Sequence, residues 1–182
     1  MKKYELTAES IVKFGRILFR IKALVAFGDV EAGELGGFVE KEENLDQSGD
    51  AWVSGNAWVS GDAMVSGNAW VYGNARVSGD AWVYGDAMVY GDARVFRMSH
   101  YLTVGPLGSR DDFTTFFRTK HLTIGVKCGC FKGDIDQFFE AVEKTHGNNK
   151  HARAYKAAIA LAKLQIDLDE EDSDEEETGK ES

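Results

Sequence analysis

The sequence predicts a mainly β chain: a short left-handed parallel β-helix with a small β-rich N-terminal cap and a C-terminal α+β unit. Three observations lead there. From Gly49 to Phe96 the chain reads GDAWVS, GNAWVS, GDAMVS, GNAWVY, GNARVS, GDAWVY, GDAMVY, GDARVF, eight hexapeptides with no insertion. Each opens on a glycine, while the whole chain holds one proline, Pro106. Hydrophobic residues make up 43% of the chain, enough to bury a core and to exclude wholesale disorder.

The repeat itself (49–97) dictates its geometry. Alanine and valine lie two apart and point to one side of an extended segment, while the residue between them and the one after valine point to the other. The following Gly-Asp or Gly-Asn pair is turn chemistry. Each hexapeptide is then a very short strand and a corner, and three of them close a triangular coil. A lone coil buries nothing, but stacked coils share a valine core. Hairpins are disfavoured, because only about four residues separate successive turns and hairpin strands need more.

Stacking at i, i+18 sets the outward ladders. One side carries Trp52, Trp70 and Met88 beside Ser54, Tyr72 and Tyr90. A second carries Trp58, Arg76 and Arg94, and a third Met64 and Trp82 with Ser66 and Tyr84. The first side reads as an exposed aromatic face, of the residue types enriched at contacts, and Trp52, Trp70, Tyr72, Met88 and Tyr90 are the expected interface, with Trp58, Arg76 and Arg94 beside them. The plainer reading is that the rings only brace neighbouring coils. A planar ligand such as a nucleotide, stacked on rings and guanidinium groups, is a third.

The flanks follow. Residues 1–48 form a β-rich cap, with LFRIKAL (18–24) strand-like and Phe38-Val39 a further short strand; such a cap protects the solenoid's open edge. Residues 98–166 alternate as three strands. They continue into a helix with Ile135, Phe138, Phe139 and Val142 at helical spacing, ended by Gly147. A second helix runs from about Lys150 to Leu164, capped by Asn148 or Asn149, with Ala154, Ala157, Ala158, Leu161 and Leu164 on its apolar face. Residues 167–182 form an acidic tail, expected to be disordered through self-repulsion.

Charge bounds the partners. The net charge is −9, and the ten acids and one lysine from Asp167 onward account for all of it. The body is balanced and offers no basic stripe, which argues against direct nucleic-acid binding. No apolar run reaches membrane-spanning or signal-peptide length, so a cytoplasmic protein without membrane attachment is expected.

No constellation amounts to a nucleophile with its base. Hexapeptide β-helices include acyltransferases that use a histidine near an ejected loop, but the repeats hold neither; His100, His121, His146 and His151 all lie beyond them. Cys128, Cys130, His146 and His151 have the ligand count of a zinc site. The C-x-C spacing is tight for one, however, and a structural cysteine pair with exposed histidines is the simpler account. The loop VGPLGSRDD (104–112) offers Ser109 and Arg110 to an anion, without any phosphate-loop spacing. No cofactor is expected.

The stretch LFRIKALVAFGDVEAGELGGFVEKEENLDQSGDAWVSGNAWV resembles the opening of hexapeptide-repeat proteins encoded by phages and prophages, where a capping region precedes runs of G-[DN]-A-x-V-[SY]. LTVGPLGSRDDFTTFF and VKCGCFKGDIDQFFEAVEKTHGNN resemble C-terminal regions of proteins of that type. The likeness spans about residues 14–164 and is specific for architecture. It implies a phage-derived, non-enzymatic binding protein in the host bacterial cytoplasm. Such a protein acts through surface contacts as a homo-oligomer or on a host protein, and inhibition of host defence is the expected role. The alternatives are a nucleotide-sequestering protein and an acyltransferase-like enzyme.

Overall fold

The computed structural model describes residues 2–169, so the acidic tail beyond Asp169, and the disorder expected of it, lie outside the described residues. The eight hexapeptides form eight two-residue strands: β4 (Trp52–Val53), β5 (Trp58–Val59), β6 (Met64–Val65), β7 (Trp70–Val71), β8 (Arg76–Val77), β9 (Trp82–Val83), β10 (Met88–Val89) and β11 (Arg94–Val95). They stack in parallel at the expected interval, Trp52 on Trp70 on Met88, Trp58 on Arg76 on Arg94, and Met64 on Trp82. The repeat alanines and valines are all buried and form one continuous core.

The backbone bonds of this parallel β-solenoid share one direction. Trp52 N–H donates to Ala69 O at 3.0 Å, Ser54 N–H to Val71 O at 2.9 Å and Asn56 N–H to Gly73 O at 2.9 Å. Each coil thus gives its N–H groups to the next coil and offers its carbonyls to the one before, leaving carbonyls open at the first coil and N–H groups at the last.

The N-terminal region closes the carbonyl end. β1 (Tyr4–Lys13) and β2 (Arg16–Ala23) form an antiparallel hairpin, and β3 (Leu35–Val39) pairs with β2 on one edge and in parallel with β5 on the other. The second solenoid side therefore belongs to a six-stranded sheet, β1-β2-β3-β5-β8-β11. The cap is an imperfect first coil as much as a lid: Phe38 pairs with Trp58 and Leu45 bridges to Val65. Side chains supply donors where this coil departs from the repeat. The Nζ of Lys3 donates to Ala51 O at 2.9 Å, and the Nδ2 of buried Asn44 donates to Gly61 O at 3.1 Å and Ala63 O at 2.7 Å.

The C-terminal unit closes the N–H end. It holds β12 (Tyr101–Leu107), β13 (Asp112–Arg118), β14 (Ile124–Cys128) and β15 (Phe131–Asp134) in one antiparallel sheet, followed by α1 (Ile135–His146) and α2 (Lys150–Gln165). Here acceptors meet the last coil. Thr115 Oγ1 accepts from Met88 N–H at 3.0 Å, and the Nδ1 of His100 accepts from Phe96 N–H at 3.1 Å. His100 is buried, and that burial, with Arg118 nearby, pushes its pKa down to about 4.

Two expectations need correction. The sheet has four strands, not three, because FKGD, too short and polar to read as a strand, pairs with β14 across the Gly129-Cys130 turn. The buried face of α2 is Ala152, Tyr155, Ala158, Ile159 and Ala162, so Ala154, Ala157, Leu161 and Leu164 do not form it, and Leu164 is 87% exposed. The larger Tyr155 and Ile159 turn the helix, with the Tyr155 ring edge-on to Phe138 at 5.5 Å. The caps are as read: Gly147 ends α1, and the Asn149 side chain accepts from His151 and Ala152 N–H.

Two outcomes are expected. A Cβ at Gly79 would sit 2.5 Å from Phe96 O, whereas one at Gly85 meets nothing within 4 Å, and both glycines have left-handed φ, 62° and 68°. Gly85→Ala should cost about 1 kcal/mol for backbone strain alone, and Gly79→Ala should lower the melting temperature clearly further. Second, only neutral His100 can accept from Phe96. A histidine pKa depressed from 6.5 to about 4 contributes stability present above pH 6.5 and lost as pH falls toward 4. Melting temperatures of wild type and His100→Asn between pH 7 and 4.5 should therefore show a shallower decline in the variant.

Candidate functional site

The three sides of the solenoid meet different fates. On the first, the expected interface is largely occupied by the chain itself. Trp52 is 1% exposed, with Tyr4 and Phe27 edge-on to it at 6.3 and 5.4 Å. Tyr90 meets Phe117 edge-on at 5.2 Å, and Tyr72 stacks on Tyr90 at 5.6 Å beneath the ammonium of Lys132, 5.0 Å from the Tyr72 ring. Trp70, Tyr72, Met88 and Tyr90 remain half-buried. Burial raises the pKa of both tyrosines. The face is a contact surface, but its main occupants are the two flanks.

The second side is covered from above. Trp58 is buried with Leu18 and Phe38, and Phe14 packs on it at 6.0 Å. Arg94, expected outside, is buried and donates to Ala93 O at 2.8 Å and Asn74 O at 3.2 Å. Arg76 lies half-buried between the Phe14 and Trp58 rings.

The third side is the open one, and sequence reasoning passed over it because its ladder has two members against three elsewhere. Trp82 is 47% and Tyr84 51% exposed, the two large apolar side chains of the repeats that remain so. They are nonetheless held in place. Trp82 Nε1 donates to Ser66 Oγ at 2.9 Å, its backbone N–H to Met98 Sδ at 3.3 Å, and Tyr101 packs edge-on to Tyr84 at 6.5 Å. Tyr84, Met98, Tyr101 and Phe113 border a shallow hollow of about 370 Å³. The signal that finds this side is the docking site of the flanks, which no local pattern carries.

The C-terminal unit brings together residues that the sequence assigned to separate sites. Ser109, Arg110, Cys128, Cys130 and His146 all line one cleft of about 540 Å³, floored by Phe131, Phe138 and Val142. His151 sits beside His146, ring centres 5.8 Å apart. The cysteines do not share a strand face: Cys128 ends β14 and Cys130 occupies the exposed turn after Gly129. Among the described residues no three of His, Cys, Asp and Glu group as metal ligands. Cys128 contacts Tyr155 Oη at 3.8 Å, and burial, with Cys128 beside it, pushes the Tyr155 pKa up to about 12.

The YdcK β-solenoid repeat family matches residues 57–73, 69–85 and 81–97, three overlapping windows that cover the hexapeptides from Ala57 and end at Arg97, one residue past the last. The chain is a β-solenoid repeat protein, similar to that family over the solenoid alone. A comparison with curated proteins finds no match. No helix among the described residues is long and apolar enough to cross a membrane.

The tryptophans provide a direct check of these placements. Acrylamide should quench mainly Trp82, so Trp82→Phe is expected to remove most of the quencher-accessible emission. Trp52→Phe should leave it in place.

Proposed function

We propose that the protein acts without catalysis, by binding a protein partner through the third side of the solenoid. The exposed pair Trp82 and Tyr84 carries this reading, because the repeats bury or half-bury their other large apolar side chains. Met98 and Phe113, also exposed, border the hollow beside Tyr84, which extends the apolar surface of this side, and exposed apolar patches mark contact sites. Standard interfaces take about 800 Å² from each partner, so the patch suits the aromatic centre of a reversible interface. Ser66 and Tyr101 hold the rings of Trp82 and Tyr84 in the free protein, which lowers the ordering cost of binding. A host protein is the partner class, and phage origin and interference with bacterial defence are the setting that the sequence likeness supports.

The test is a double variant, Trp82→Ala with Tyr84→Ala, compared with wild type by affinity capture from bacterial lysate and by analytical ultracentrifugation. A specific captured protein should be lost, with unchanged far-ultraviolet circular dichroism. Retention of every partner and of the sedimentation profile by the folded variant would rule this face out. A wild-type dimer lost in the variant would assign the face to self-association instead.

A further inference from the structure

The β1–β2 hairpin and the second solenoid side enclose a groove of about 470 Å³ whose chemistry differs from the rest of the molecule. Lys13, Arg20, Arg76 and Arg94 line it together with one carboxylate, Glu9, while a second, Asp92, lies beside the lining residues Arg94 and Asn74 and is paired with Lys120. That imbalance stands out on a body whose charges otherwise cancel. Glu9 pairs with Arg20, its oxygen 2.8 Å from Nε, while Arg20 also donates to Gly36 O at 2.8 Å and lies 4.4 Å from the Phe38 ring centre.

Arg76 is placed differently. Its guanidinium lies 4.8 Å from the Phe14 ring centre and 5.4 Å from that of Trp58, and among the described residues its side chain has no hydrogen bond and no carboxylate partner. Ring contacts engage the face of a guanidinium and leave its N–H edge to be satisfied. Phe14 reaches this position from the hairpin tip with φ at 49°, a backbone conformation that a side chain of its bulk seldom adopts. Asn56 and Asn74, linked to each other at 3.4 Å, line the same groove and add amide groups.

We infer that this groove binds a phosphate-bearing small molecule, with Arg76 gripping the oxyanion. A planar guanidinium held by two rings is prepared for two-pronged binding of phosphate, and Lys13 adds a point charge at the rim. The Phe14, Phe38 and Trp58 rings already carry arginine partners, so the recognised group is the oxyanion and not a stacked base. The groove is independent of the Trp82–Tyr84 face, and either site can fail without the other.

Pyrophosphate is the probe, added to the full chain at low salt and followed by isothermal titration calorimetry and by the shift in melting temperature. Wild type should bind it saturably and melt higher in its presence. Arg76→Gln should weaken binding at least tenfold. Arg76→Lys, which keeps the charge but not the planar fork, should fall between, and Arg153→Gln on the exposed surface of α2 should bind as wild type does. Each variant is compared with itself with and without pyrophosphate, so lost stability cannot pass for lost binding. Absence of saturable binding to wild type, undiminished binding by Arg76→Gln, or an equal loss in Arg153→Gln overturns the inference. So does binding of a glutamate-rich peptide in place of pyrophosphate, which would assign the groove to protein carboxylates.

Discussion

Every coil of the solenoid passes its N–H groups toward the C-terminal end and its carbonyls toward the N-terminal end, so the stack has a donor-poor end and an acceptor-poor end. A sheet's unpaired edge is costly to bury and hazardous to expose. The two flanks answer with opposite chemistry. Lys3 and Asn44 bring N–H groups to the first coil; Thr115 and His100 bring acceptors to the last. The ammonium of Lys3 has no lone pair to offer, and its burial, which lowers its pKa to about 8, is tolerated because three carbonyls surround it.

The caps also decide what the solenoid's sides can do. A cap large enough to protect an edge overhangs the faces beside it. The N-terminal region covers Trp52 and Trp58, and the C-terminal sheet takes Tyr90 and the backbone of Met88. Aromatic ladders that look like surface in the repeat become the seams joining three units into one body. What is left for outside contacts is the side without an overhang and the groove between hairpin and coil.

The periodic part of the molecule was legible because its physics is local. Alternation placed alanine and valine inside, and Gly-Asp pairs placed the corners. Stacking at one coil's distance then gave the registers of Trp52 on Trp70 and Trp58 on Arg76. The α1–α2 junction was legible for the same reason, since Gly147 and Asn149 act within one helical turn. What eluded the sequence was non-local. Exposure of Trp82 and burial of Arg94 depend on where the flanks dock. The gathering of Ser109, Arg110, Cys128, Cys130 and His146 around one cleft depends on a hairpin that contains the unassuming strand FKGD. Tyr155 and Ile159, set in an alanine-rich helix, fixed the rotation of α2 by packing into the core of the C-terminal unit.

Eight hexapeptides stop one short of three full coils, and that remainder has a meaning of its own. In a three-sided stack, the repeat number sets the angular phase between the two caps. Gaining or losing a whole coil would lengthen the body and keep the same side open. Gaining or losing one hexapeptide would swing the C-terminal unit by about a third of a turn relative to the N-terminal cap and change which ladder lies beneath its overhang. A lineage of such proteins can therefore change its contact surface by counting, without altering a single side chain on any face.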